Sequence, residues 1–349
     1  METGQKIKKT VRVKFVDFGP DWDYENNLFV QMMARQFDVR LVEENPNYLF
    51  HGLYGGRAYE GIEHFFYRAP DCVKIFYTAE NVVPDFNTTD YALGFAYLDF
   101  GDRYLRFPIH HLGMMAWKPE ENWRPLGRAE ALERPGFCNF VYSNAQFAAP
   151  ERDAFFHLLS RYRKVDSAGR HLRNTDALAR IEAEGGHGGW AKAKRAFLAG
   201  YKFTIAFEND SFPGYTTEKI FDAFAARTVP IYWGNPRVAE EFAPGSFVNA
   251  HDFDSLEALV REVERLDNDD DAYMEMINTN PFAPLLAGGN QVLERFDRFI
   301  RNIMEPPPEQ ARRRGRHAAA CLLEDDREKR ARELLRRRWW RDGLRFWKR

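Results

Sequence analysis

At 349 residues, with 44% hydrophobic and 15% aromatic content, the chain is long enough for two domains with sizeable cores and too apolar to be disordered. The formal net charge of -2 hides an asymmetry: residues 311–349 hold 15 basic and 6 acidic side chains, a local +9 that leaves about -11 on the rest and argues against a nucleic-acid-binding body. Cys72, Cys138 and Cys321 are odd in number, widely spaced and free of any CxxC pair, which predicts reduced thiols in a cytoplasmic protein, and no run of 18 apolar residues suits a membrane span.

Taken in order, Lys6, Lys8 and Lys9 lead into Val11–Val16, whose alternation predicts a first strand and whose six residues fall short of a signal-peptide core. The segment FGPDW comes next. Trp22, with Phe18 and Asp23, therefore falls at the carboxyl edge of the predicted sheet, where an aromatic either stacks on a sugar ring or packs on the next helix. Leu28, Met32, Met33 and Phe37 give Asn26–Phe37 helical periodicity. Short strands are predicted at Val39–Val42, Leu49–Leu53, Val73–Tyr77, Tyr91–Phe95 and Phe140–Tyr142, the last two as later members of the same parallel sheet. Between Arg106 and Gly136 there is little periodicity, and the stretch reads as a shaping loop or a connection. A helix over 151–163, a strand at Lys164–Asp166, a Gly-rich loop at Glu184–Gly189 and a helix at Ala191–Leu198 come next.

The clearest organisation lies in Tyr201–Gly234, YKFTIAFENDSFPGYTTEKIFDAFAARTVPIYWG. Phe203–Phe207 is a strand, a polar loop carries Pro213 and Gly214, and Thr216 or Thr217 caps a helix that places Ile220, Phe221, Phe224 and Ala225 on one face. Arg227 is expected in its last turn, and Val229–Trp233 is a second buried strand ended by Gly234. This is a strand–loop–helix–strand unit, half of a nucleotide-binding fold. Free N–H groups at the helix start attract anions, yet Lys219 in the first turn opposes the dipole, a conflict that a bound phosphate removes. Two more helices are expected, Ser255–Leu266 and Gln291–Met304, with the aspartates of 267–271 acting as caps and turns between them rather than as metal ligands. His110 and His111 are adjacent, without zinc spacing, so no metal site is expected. The segment EPPPEQ at 305–310 reads as a stiff break that ends the folded body.

FENDSFPGYTTEK, followed by VPIYWGNPRVAEEF and FVNAHDF, closely resembles the donor-binding signature of the bacterial α-1,3-fucosyltransferases of glycosyltransferase family 10. FYTAEN and YALGFAYLDFGDRYLRFP resemble that family's base-bearing segment and its continuation. The resemblance is clear over roughly residues 70–255 and looser elsewhere. It implies an α/β GT-B fold of two facing Rossmann-like domains: an acceptor domain at 1–155, a GDP-fucose domain at 156–305, and a basic amphipathic helical tail at 311–349. It also implies an inverting transfer of L-fucose from GDP-β-L-fucose to the 3-hydroxyl of GlcNAc in a Gal-GlcNAc, Lewis-type acceptor. Glu80 is the implied base, which an apolar surround would suit by raising its pKa. Lys219 and Arg173 are the implied partners of the diphosphate, with Arg170 a near alternative; Tyr215 is a hydrogen-bond donor, Glu218 a ribose ligand and Asn209 a nucleotide or fucose contact. No metal cofactor is implied beyond a stimulating divalent ion such as Mg or Mn.

The tail reads as a helix over 318–341 with Ala331, Leu334, Leu335 and Trp339 on one face and arginines around them, suited to an anionic inner-membrane surface or to packing on the protein. Two rival readings stand beside the fucosyltransferase: a GT-B transferase using another nucleotide sugar, and a non-enzymatic membrane-surface binding protein. A dinucleotide oxidoreductase is disfavoured because no GxGxxG joins a strand to a helix.

Overall fold

The computed structural model describes residues 7–18, 22–53, 72–143, 148–184, 189–287 and 291–315. The chain divides into two compact units, one made of residues up to Gly94, Leu98–Phe107 and Gln291 onward, the other of Phe95–Tyr97 and Pro108–Asn290.

The first unit is built on a six-stranded parallel sheet. Its strands are β1 (Thr10–Val16), β2 (Asp38–Leu41), β3 (Tyr48–His51), β4 (Val73–Tyr77), β5 (Tyr91–Gly94) and β6 (Tyr104–Arg106), in the order β2-β1-β3-β4-β5-β6. Every residue of β3, β4 and β5 is buried, as befits strands covered on both faces. The helix Leu28–Ala34 is capped by Asn27, whose side chain accepts from the Val30 amide. Its Phe29 packs with Phe107 and Phe296 at ring separations of 6.1 and 5.9 Å. Phe296 belongs to the helix Gln291–Met304, which buries Phe296, Phe299, Ile300, Ile303 and Met304 along one stripe.

The proline run does not end the fold. Pro308–Ala311 forms a further helical turn, and the Tyr91 hydroxyl donates to the Ala311 carbonyl at 2.6 Å. Arg313 and Arg314 each give a backbone N–H to Asp90 Oδ1 at 2.8 Å, while Arg314 Nε and the Lys74 amide donate to Oδ2 at 2.9 and 2.8 Å. The side chains of Asp90 and Arg314 are wholly buried, and proline's inability to propagate a helix placed no bar on this packing. Arg316 onward, and with it the predicted amphipathic helix and Cys321, lies outside the described residues.

The second unit carries the strands β7 (Gly136–Phe140), β8 (Val165–Ser167), β9 (Tyr201–Phe207), β10 (Val229–Trp233) and β11 (Val248–Asn249), all parallel, in the order β11-β10-β9-β7-β8. The strand expected at Phe140–Tyr142 as a late member of the first sheet runs instead over Gly136–Phe140, as β7, and pairs with β8 and β9. Alternation reveals a strand but not its neighbour. The expected boundary at 155/156 therefore falls inside the second unit, and the helix Gln291–Met304 leaves the expected C-terminal domain for the first unit. The aperiodic stretch after Arg106 contains the helices His110–Trp117, Pro119–Asn122 and Arg128–Leu132, of which the first sets Trp117 against Phe221 and Phe282. The helix Glu218–Ala225 stops before Arg227, which takes a left-handed φ of 57°. Arg227 N–H donates to Phe224 and Thr228 N–H to Ala223, the Schellman arrangement, and the guanidinium reaches the Ile277 carbonyl. The aspartate run caps and pairs: Asp267 is bound by Lys202 at 2.7 Å and Arg163 at 3.0 Å, Asp269 caps the helix Asp270–Asn278, and Asp271 meets Arg128.

Candidate functional site

β9 is buried along its whole length and delivers Glu208 to the sheet's carboxyl edge, the position where parallel α/β sheets bind ligands. Two glycines let the chain pass close to this edge. Gly214 has φ +88°, and a Cβ there would lie 2.4 Å from the Phe95 carbonyl oxygen; Gly234, at φ +152°, would place a Cβ 2.4 Å from Glu208 Cγ. β10 thus closes over the Glu208 side chain, which is wholly buried.

That carboxylate organises the helix start. Glu208 Oε1 accepts from the Thr217 amide at 2.7 Å, and Oε2 accepts from the Thr217 hydroxyl at 2.7 Å and from Lys219 Nζ at 3.0 Å. Thr217, of the two candidate threonines, is the cap. Lys219 Nζ also lies 3.8 Å from Glu218. Burial alone would lower the lysine's pKa, but the two carboxylates outweigh it and hold the ammonium well above its ordinary value. Burial raises Glu208, with Lys219 opposing. For Glu218, whose side chain is nearly half exposed, the balance reverses: partial desolvation would raise it, yet Lys219 and Lys194 bring it down to about 2. The cation that the sequence placed against the helix dipole is therefore compensated within the protein, by Glu208 first. Glu208 stands inside the motif, yet sequence reasoning gave it no role.

Arg152 is the second group that sequence reasoning passed over. It falls on the buried stripe of the helix Pro150–Tyr162, with Phe155, Phe156 and Leu159, and is 1% exposed. Its guanidinium lies 4.3 Å from the Tyr142 ring centroid and donates from Nη1 to Asn209 Oδ1 at 3.1 Å. An arginine at i of an i, i+3, i+4, i+7 apolar stripe was the available signal. Asn209 is thus held from behind by a buried cation. Tyr215 is 1% exposed, with its ring 5.1 Å from Phe95.

Arg173 sits on the loop after β8, at the same carboxyl edge. The loop is fixed by Asn174 Oδ1, which accepts from the Ser167 amide at 2.8 Å, and by Gly169, where a Cβ would strike the Tyr142 carbonyl. Arg173 is exposed and pairs with Asp176. Arg170 and Arg173 both line a cleft of about 300 Å³ with Ser143, Leu178, Glu182 and Trp190. Asn209, Tyr215, Glu218, Lys219 and Arg173 accordingly all belong to one edge of one sheet in the second unit.

Glu80 and Trp22 belong to the first unit. Glu80 comes after β4, its amide donating to Thr78 Oγ1 at 3.1 Å, and its side chain is half-buried, short of the enclosed apolar surround expected for it. Trp22 stacks on Phe18 with ring centroids 4.5 Å apart and lies 6.1 Å from Phe29, which is the packing alternative.

Comparison with known proteins gives a consistent picture. Residues 13–113 match the family model of the α-(1,3)-fucosyltransferase FucT N-terminal domain, and residues 133–279 match that of the glycosyltransferase family 10 (fucosyltransferase) C-terminal part. Helicobacter pylori α-(1,3)-fucosyltransferase FucT is 33% identical over 293 residues, covering 75% of this chain; the chain spans 58% of that relative's length. A crystal structure of an α1,3-fucosyltransferase with GDP-fucose is similar at a TM-score of 0.64 and 26% identity, covering 86% of this chain and 93% of that one. One with GDP is similar at a TM-score of 0.65 and 28% identity, covering 88% and 94%.

Proposed function

The chain belongs to glycosyltransferase family 10, the fucosyltransferases, and from that premise we propose that it transfers L-fucose from GDP-β-L-fucose to the 3-hydroxyl of GlcNAc in a Gal-GlcNAc acceptor, with inversion. The observation that carries this reading is the strand–turn–helix at 208–219, which presents Asn209, Glu218 and Lys219 on one edge of a parallel sheet with Arg173 on a neighbouring loop.

In this mechanism Glu80 takes the proton of the acceptor hydroxyl as its oxygen attacks the anomeric carbon of fucose. The bond to the β-phosphate oxygen breaks on the opposite face, giving an α-linked product and GDP. Lys219, kept protonated by Glu208 and Glu218, and Arg173 or Arg170 balance the charge that develops on the diphosphate. Glu218, held ionised, accepts hydrogen bonds from ribose hydroxyls. On this reading side chains rather than a bound ion meet the diphosphate, so we expect a divalent cation to stimulate the reaction at most, and chelation to leave turnover standing.

The test is incubation with GDP-fucose and a panel of lactose, N-acetyllactosamine and lacto-N-biose, with products analysed by linkage. An α-1,3-fucosylated N-acetyllactosamine is expected. Product from a UDP-sugar but none from GDP-fucose would overturn the donor assignment, and an α-1,4 product on lacto-N-biose alone would overturn the regiochemistry.

A further inference from the structure

Behind the turn that leads into the donor helix lies a buried polar cluster that the proposed reaction does not use. Its centre is Asn235, wholly buried, on the segment after β10. The side-chain oxygen accepts from the Gly214 amide at 2.7 Å and from the Arg237 amide at 2.9 Å. The side-chain nitrogen donates to Thr216 Oγ1 at 3.0 Å and to Glu241 Oε1 at 2.9 Å. All four hydrogen-bonding positions of the amide are filled. Its backbone N–H donates to the Tyr232 hydroxyl at 3.0 Å, and that hydroxyl donates to the Tyr215 carbonyl at 3.3 Å. Three consecutive residues, Gly214, Tyr215 and Thr216, are thus tied to one short segment.

Glu241 anchors the far side. It is 4% exposed, takes a second bond from the Tyr97 hydroxyl at 3.3 Å, and has Oε2 at 3.3 Å from His110 Nε2. His110 Nδ1 in turn lies 3.3 Å from the Thr216 carbonyl. Meanwhile Asp210 to Pro213, the outer side of the same loop, is exposed. The turn is clamped from within and open without, the arrangement of a preorganised ligand loop.

We infer that Asn235 is a positioning residue for the nucleotide-sugar site: acting through Gly214 and Thr216, and backed by Glu241, it fixes the turn whose geometry sets affinity for a nucleoside diphosphate. The inference rests on the GDP-fucose donor reading. Alternative chemistry at position 235 tests it, because amide and carboxylate can be exchanged across the Asn235–Glu241 contact. Asn235→Asp keeps the acceptor for Gly214 and Arg237 but sets a carboxylate against Glu241. Glu241→Gln in the same chain restores one donor and one acceptor across that contact.

The experiment measures GDP affinity by calorimetry and steady-state kinetics with GDP-fucose for wild type, Asn235→Asp, Glu241→Gln and the double exchange, each beside its thermal midpoint. Loss of a buried hydrogen-bond pair should weaken GDP binding and raise KM for GDP-fucose about tenfold in Asn235→Asp, with a smaller change in kcat. The double exchange should return both toward wild type. If folded single variants bind GDP within twofold of wild type, or if the double exchange regains its thermal midpoint but not its affinity, the positioning role is overturned. A wild-type protein that does not bind GDP overturns the donor reading and this inference with it, whereas variants that match a GDP-binding wild type overturn this inference alone.

Discussion

Lys219 carries two duties that substitution can separate. Lys219→Ala leaves Glu208 buried without its cation, and should cost about 3–5 kcal/mol of stability as well as turnover. Adding Glu208→Gln should recover most of the urea-unfolding midpoint and none of the turnover. Recovered turnover in the double variant would leave the lysine a structural role only. Asp17, buried at the end of β1 with φ 64°, behaves differently. Burial lifts its pKa to about 7, so the folded chain retains a proton that the unfolded chain releases from about pH 4. Native protein then binds more protons across that window, and stability falls as pH rises from about 4 to 7. The stability excess of Asp17→Asn over wild type should grow as pH rises from about 4, by about 2–4 kcal/mol near pH 8 in thermal or urea unfolding; a difference independent of pH would sink this account. At this scale the sequence displayed every polar side chain of the 208–219 loop. What it concealed was pairing, because Lys219 finds Glu208 eleven positions away and Asn209 finds Arg152 across 57.

Among elements, β9, the helix after it and β10 were readable because propensity, turn chemistry and apolar spacing all agreed there, and Val229–Trp233 matched to the residue. The helix His110–Trp117 was not, since its apolar residues cover more than one face and offer no stripe. The Pro308–Ala311 turn was hidden for another reason: its stability comes from distant partners, Tyr91 and Asp90, rather than from local sequence. A chain ending at residue 315 keeps the Asp90–Arg314 pair and is the reference for the next truncation. One ending at residue 310 leaves Asp90 buried without its arginine and should lose about 3–5 kcal/mol. Equal midpoints would mean that the Asp90–Arg314 pair contributes nothing net.

For the molecule as a whole, the greater part of the basic tail begins just past that latch. We expect full-length protein to sediment with anionic vesicles and the 1–315 chain to stay behind, with the difference shrinking as salt is raised; equal partitioning would remove the membrane-surface alternative for the tail. The parallel α/β class was legible from alternating strands and helices, and the expectation of two domains came from the family resemblance, whereas the membership of β7 and of the helix Gln291–Met304 was not legible, because both pack with segments remote in sequence. That remote pairing bears on how the protein is made. Phe29 and Phe107 emerge early from the ribosome, but Phe296, which closes over them, arrives only after the whole second unit. At about 5–20 residues per second, the roughly 180 intervening residues hold the nascent first unit open for some 10–40 s. Over that interval Phe29 and Phe107 lack the ring that covers them, while every segment of the second unit has already been made.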